Sequence, residues 1–312
     1  MSRFNAEQLD AAQLGSAGSS THTTTTSQRT SRTSGAHPGS SRLGGAHPGT
    51  AREIVALFSD ATLEQIPELC KRYREDPRLQ VKHALASARR RYDKEQAERA
   101  RVRAMYERME AFAPTASSDS SASSTIIVGI DEVGRGALAG PLTVCAVALP
   151  ADPIIWGLND SKRLTPHKRE LLAAQISARA LAIGTAHVEP QRIDEIGMGA
   201  AVRFAMAQAL KDTQLEPDVV LIDGNPVHIH PKEHCIVKGD AQVACIAAAS
   251  IVAKVTRDAL MVEYDAKYPQ YHFAHSKGYG SAEHIAAIKA YGLTPLHRVS
   301  FCGNFLETPS LF

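Results

Sequence analysis

The stretch TIIVGIDEVGRGALAGPLTVCAVAL, residues 125–149, decides the architecture. It holds two short, apolar, β-branched runs, TIIVGID (125–131) and TVCAVAL (143–149), bounded by Gly and Pro. Runs of this length and composition predict buried strands, and the short segment between them suits a hairpin. The first run ends in Asp131 and Glu132, two adjacent carboxylates that a central strand does not need. Side chains alternate across a strand, so the two acids start on opposite faces unless the chain bends at the Gly-rich turn. The plain structural alternative is that Asp131 caps the turn and Glu132 is solvated. GRGALAG (134–140) is not a dinucleotide fingerprint: its third glycine, Gly140, comes one position late, and Pro141 leads into a strand rather than a helix. A turn with exposed backbone amides fits better, and its glycines permit close approach of a nucleic-acid backbone.

Downstream, the pattern predicts a helix over 166–180, a strand over 181–188, helical turns over 190–213 and strands over 218–223 and 235–239. Helices over 242–266 and 281–291 follow. Strands alternating with helices give an α/β domain over 125–312, a mixed sheet flanked by helices. DVVLID ends in Asp223, before Gly224 and Asn225, and CIVKG leads into Asp240. Asp131, Glu132, Asp223 and Asp240 are thus four acids, each placed at the end of an expected strand, where an open α/β sheet gathers ligands. Convergence of four carboxylates would be strongly repulsive without cations. An all-oxygen donor set favours hard ions, Mg²⁺ or Mn²⁺, and a pair of them about 4 Å apart is the arrangement for in-line attack on a phosphodiester. Asp258, on the 242–266 helix, is expected in a salt bridge. The alanine-rich run VACIAAAS (243–250) predicts a tightly packed helix crossing the sheet.

Upstream, residues 51–113 are rich in Ala, Leu, Glu, Arg and Lys and predict a small helical extension. Ser59 and Asp60 offer N-caps ahead of a helix over 62–74. Val81, Leu85, Ala88 and Tyr92, then Val102, Met105, Met109 and Phe112, fall at helical spacing over 79–112. Its arginines, including those of RRRYDK (89–94), are interleaved with acids, as on a solvated face. Residues 1–50, dominated by Ser, Thr and Gly and repeating GAHPG at 35–39 and 45–49, are expected to form a disordered tail, and 114–124 a Ser-rich linker.

The net charge of +2 conceals an uneven division. Residues 1–124 carry 18 basic and 14 acidic side chains, and 125–312 carry 17 and 19, so the carboxylates lie where the chemistry is expected. Five scattered cysteines without a CxxC pair indicate neither a disulfide framework nor a thiolate zinc site. No apolar stretch is long enough to span a bilayer, and the first residues lack the signal-peptide pattern, so a cytoplasmic protein is expected.

Taken in order, DEVGRGALAGP, LNDSKRLTPHKRE, LIDGN, KGDAQVACIAAASIVAKVTRD, HFAHSKGYGSAEH and TPLHRVSF resemble bacterial ribonuclease HII, the type 2 ribonuclease H, over nearly all of 125–312. The resemblance implies a ribonuclease H-like mixed sheet with its first strands antiparallel, and a two-metal site on Asp131, Glu132, Asp223 and Asp240. It implies an endonuclease that cleaves the RNA strand of RNA/DNA hybrids, and 5′ of ribonucleotides embedded in duplex DNA. The ends would be a 3′-hydroxyl and a 5′-phosphate, and the role ribonucleotide removal from DNA. Gly134, Arg135 and Gly136 would contact the ribonucleotide and its 2′-hydroxyl, the group that separates RNA from DNA. Tyr279 would pack on the adjacent deoxyribose. Lys162, Arg163, Lys254, Arg257, Lys277, His297 and Arg298 are expected phosphate contacts. No general base is expected of His284 or His297, since metals can lower the pKa of water. The expected partner is the nucleic-acid duplex, with no membrane, and the expected state a monomer. Three alternatives stand beside this reading: the sister enzyme ribonuclease HIII, which has a β-containing amino-terminal domain; other nucleases and integrases of the same fold; and an inactive nucleic-acid-binding module.

Overall fold

The computed structural model describes residues 49–114 and 125–306. The tail to residue 48, with its GAHPG repeats, and most of the Ser-rich segment lie outside the described residues.

Five strands form one mixed sheet in the order β3-β2-β1-β4-β5: β1 (Ile127–Val133), β2 (Leu142–Ala148), β3 (Ala182–Val188), β4 (Val219–Asp223) and β5 (Glu233–Ile236). β1, β2 and β3 pair antiparallel, while β4 and β5 run parallel to β1. The alternation of side chains sorts the core into two layers. Ile127, Cys145, Val147 and Leu221 face one way, onto α6 (Ala244–Lys267); Val128, Ile130, Val144 and Val220 face the other, onto α5 (Pro190–Asp212). The alanine-rich start of α6 lies directly on β1. A Cβ on Gly129 would sit 2.3 Å from the Cys245 carbonyl carbon, so this contact admits only glycine. Helix α4 (Pro166–Arg179) precedes β3. The short α7 (Phe273–Ser276) and α9 (Val299–Cys302) and the longer α8 (Ala282–Tyr291) build a third cluster around Tyr271 and Phe273.

Upstream of the sheet are α1 (Ala51–Asp60), α2 (Ile66–Arg72) and α3 (Leu79–Glu110). Ser59 and Asp60 do not cap a helix; they end α1. That helix starts at a capping box in which Thr50 accepts from the Glu53 amide and the Glu53 carboxylate accepts from the Thr50 amide. The two halves of α3 serve different cores. Val81 and Ala88 pack with Ile54, Phe58, Ile66 and Tyr73, whereas Val102, Met105, Tyr106 and Met109 join the core on the α6 side of the sheet. The Tyr106 hydroxyl accepts from the Ile155 amide at 3.0 Å, fastening the extension to the loop after β2. Cys145, Cys245 and Cys302 are buried, Cys70 and Cys235 half-buried, and all five are free thiols. Among the described residues, no helix is long and apolar enough to cross a membrane.

Candidate active site

β1 does not end at Asp131 but runs through both acids to Val133, held by β2 at Asp131↔Cys145 and Glu132↔Val144. Its ladder with β4 stops earlier, at Ile130↔Ile222, leaving that edge open beside the carboxylates. Asp131 is buried, and its Oδ1 accepts from the Glu132 amide at 2.7 Å. Asp223 shares the α6 face of the sheet, two residues beyond Leu221, and its Oδ1 accepts from the Gly239 amide at 2.6 Å.

Asp240 is not at a strand end. β5 stops at Ile236, three residues short of expectation, because Lys238 takes the left-handed conformation (φ +58°) and starts the 3₁₀ turn Gly239–Ala241. That turn carries the buried Asp240 back toward Asp223. One carboxylate oxygen each from Asp131, Asp223 and Asp240 lies within 4.8 Å of the others. Glu132 is outside this triad but lines the same cavity of about 440 Å³, with its carboxylate 3.5 Å from the exposed guanidinium of Arg135.

Electrostatics match the geometry. Burial raises the pKa of Asp131 well above the usual carboxylate range, and Glu132 and Asp223 add to the effect. Burial also raises Glu132, with Arg135 opposing and Asp223 reinforcing the shift. Asp240 is raised by burial, then by Asp160 and Asp223, while Lys162 opposes. Carboxylates held so close in a cavity suit a hard divalent cation, which relieves repulsion that protonation would otherwise relieve.

The cavity also takes in Gly134, Arg135, Gly136, Lys162, Lys254 and Tyr279, so every substrate contact expected at the site is at its wall. Lys254 is tied to Asp258 at 2.8 Å, the salt bridge expected of that acid. Ser161 and Ser250, absent from the expected set, line the cavity with their hydroxyls 3.1 Å apart, and Ser250 is hydrogen-bonded to Asp131. A single hydroxyl inside the apolar run CIAAASIVA was the available signal.

Two expected phosphate contacts are corrected. Arg257 and Arg298 are buried, and their guanidinium groups are occupied by the main chain. Arg257 donates to the carbonyls of Pro141, Ala139 and Lys277 at 2.8, 2.9 and 2.8 Å. Arg298 donates to Gly140 and Arg135. A turn with many unpaired carbonyls needs such donors, and the planar five-donor fork of arginine supplies them. The amides of Leu138 and Ala139 also donate to the Gly278 carbonyl, so the GRG turn and the Tyr279 loop form one unit. The Tyr279 ring, 37% exposed, lies over Arg257, whose Cζ is 5.4 Å from the ring centroid.

His297 is likewise buried and contacts no solvent-side cavity; its ring faces His284. The hydrogen bonds fix both tautomers. The Thr294 amide donates to His297 Nδ1, so His297 carries its proton on Nε2 and donates to His284 Nε2 at 3.1 Å. His284 therefore carries its proton on Nδ1 and donates to the Tyr279 carbonyl at 2.9 Å.

A mixed sheet of this order, with carboxylates clustered at the open end of its central strand, defines a metal-dependent nuclease of the ribonuclease H fold. Residues 128–304 match the family Ribonuclease HII, and 50–109 match the Ribonuclease HII N-terminal domain. The chain belongs to the ribonuclease HII family and is a ribonuclease H endonuclease. It is 50% identical over 182 residues to the ribonuclease HII of Acetivibrio thermocellus, covering 58% of this chain and 71% of that protein. It is 45% identical over 252 residues to that of Geobacillus thermodenitrificans, covering 80% and 93%. The crystal structure of ribonuclease H2 from Pyrococcus horikoshii superposes with a TM-score of 0.51 at 26% identity, covering 58% of this chain and 97% of that one.

Proposed function

We propose that the protein cleaves the RNA strand of RNA/DNA hybrids, and duplex DNA on the 5′ side of an embedded ribonucleotide, leaving a 3′-hydroxyl and a 5′-phosphate. Its role would be the removal of ribonucleotides from DNA. The observation that carries this reading is one cavity containing the Asp131, Asp223 and Asp240 carboxylates together with the GRG turn and Tyr279.

Asp131, Glu132, Asp223 and Asp240 would hold two divalent ions, Mg²⁺ or Mn²⁺, and their all-oxygen donor set fits such ions. Bound there, the ions supply activation of the attacking water and neutralisation of charge at the leaving 3′-oxygen. The remaining work falls to the chain. The open face of Gly136, with no atom within 4 Å of a Cβ position, admits the sugar and its 2′-hydroxyl to the backbone of residues 134–136. The Tyr279 ring accepts a deoxyribose and crowds a sugar bearing the hydroxyl. Lys162 and Lys254 place the scissile strand through its phosphates without reading sequence.

The test is cleavage of two substrates, a DNA duplex containing one ribonucleotide and a continuous RNA/DNA hybrid, each in Mg²⁺ and in Mn²⁺. Cleavage 5′ of the single ribonucleotide, abolished by Asp131→Asn, is expected. Activity that persists in Asp131→Asn would sink the assignment.

A further inference from the structure

Beside the acidic cavity, α3 and the loop after β2 enclose a groove of about 1200 Å³ that the proposed chemistry does not use. Its wall is predominantly cationic. Two of its arginines are structural: Arg91 donates to the carbonyls of Phe58 and Ala61, and Arg101 to that of Leu158. Lys94 and Arg163, by contrast, make no side-chain hydrogen bond or ion pair among the described residues, and both are exposed. Lys168 is also exposed, and its charge helps lower the pKa of Glu98 after the larger effect of the Arg101 hydrogen bond. The floor is Trp156, the one tryptophan of the chain, 37% exposed and with the Arg99 guanidinium 5.5 Å from its ring.

The groove adjoins the cavity through a single turn. In the 3₁₀ turn Ser161–Arg163, Ser161 and Lys162 line the acidic cavity, and the next residue, Arg163, lines the groove. A strand whose phosphates pass Lys162 therefore meets Arg163 next. From Arg91 to Arg101, α3 spans about 15 Å at 1.5 Å per residue, the axial rise of about four base pairs at 3.4 Å each. Unpaired cations beside an exposed indole match a nucleic-acid backbone better than a protein helix, because every phosphate is charged and sequence is immaterial.

We propose that this groove, formed jointly by the helical extension and the loop after β2, holds the flank of the nucleic-acid duplex running beyond the cleavage site. This rests on the proposed function in placing the duplex over the cavity, and it assigns the extension a role in affinity rather than in chemistry. The groove cations raise the affinity for long duplexes and leave the rate at the acids unchanged.

The test uses the full chain and the double variant Lys94→Glu with Lys168→Glu. Both positions are exposed, and Glu at 168 falls in the first turn of α4, behind the Thr165 cap, where an acid is favoured. Binding is measured by anisotropy against salt with a labelled 30-base-pair duplex and with a duplex truncated to the base pairs over the cavity. Trp156 emission gives a second readout at the groove itself. The expected result is at least a tenfold weaker affinity for the long duplex in 0.1 M salt. The salt slope should fall by about 2, one unit per lost phosphate contact, and the change in Trp156 emission should disappear. Affinity for the short duplex and its kcat should not change. Unchanged affinity, slope and emission would overturn the proposal and leave the groove to an acidic protein; equal weakening on both duplexes would overturn it too. Groove-dependent binding by a wild-type protein that cleaves neither duplex would instead refute the proposed function and leave this inference standing.

Discussion

His284 Nε2 lies 3.1 Å from His297 Nε2, and the bond between them requires that both rings be neutral. His297 donates along it, and His284 passes the orientation on to the Tyr279 carbonyl. A second proton on either ring would set two N–H groups against each other inside the aromatic cluster of Tyr271 and Phe273.

This pair predicts an acid-sensitive fold. Burial, reinforced by His284, holds His297 down to about 4, and His284 is lowered by burial. Between those values and the unfolded pKa near 6.5, the unfolded chain binds protons that the folded chain does not. Stability is therefore complete above about pH 6.5 and falls toward pH 4, by up to roughly 3 kcal/mol for His297. Urea denaturation across this range should show the slope, and His297→Gln should flatten it.

The buried carboxylates predict the opposite sign for the metal-free protein. Asp131 is raised by burial, so its ionised form opposes folding at neutral pH. Asp131→Asn should stabilise the metal-free protein by about 1–2 kcal/mol while abolishing cleavage. Wild-type melting temperature should rise with Mn²⁺ or Mg²⁺, and that of the variant should respond far less.

Arg257 and Arg135 predict contrasting outcomes. Arg257→Met leaves the carbonyls of Ala139, Pro141 and Lys277 without their donor, at a cost of at least about 3 kcal/mol. Arg135→Ala, on an exposed side chain, should change stability by about 0.5 kcal/mol or less and instead raise KM. Chemical denaturation and steady-state kinetics on the two variants separate the roles.

The two glycines of GRG should also differ. Gly134 has φ +89°, and a Cβ there would lie 2.3 Å from Arg257 Nε, so Gly134→Ala should unfold more readily and lose activity with structure. Gly136 has open space, so Gly136→Ala should keep its melting temperature and lose cleavage at a single ribonucleotide. Thermal unfolding read beside the cleavage assay distinguishes the two.

The sequence showed a good deal of this directly. Apolar runs with period-two burial marked β1 to β4, and four acids beside Gly-rich turns marked the site, because a buried strand gains nothing from a carboxylate. Errors arose where tertiary partners outweighed local pattern. The capping box at Thr50 and Glu53 was missed at the edge of a low-complexity stretch. The strand ending at Ile236 was set by the left-handed Lys238 and by Asp223 claiming the Gly239 amide. Arg257 and Arg298 looked like phosphate ligands because sequence carries charge but not burial.

Sequence alone determined the α/β class, the order of the elements, the separate helical extension and the identity of the acids, all of which follow from local periodicity and residue chemistry. Only the tertiary structure decided that Asp131, Asp223 and Asp240 form the tight triad while Glu132 stands at its edge. It also decided that two arginines brace the GRG turn from beneath, and that α3 closes a cationic groove beside the cavity. Those outcomes depend on where a parallel ladder stops and which carbonyls are left unpaired, and both are settled by contacts between residues about ninety to one hundred and sixty positions apart.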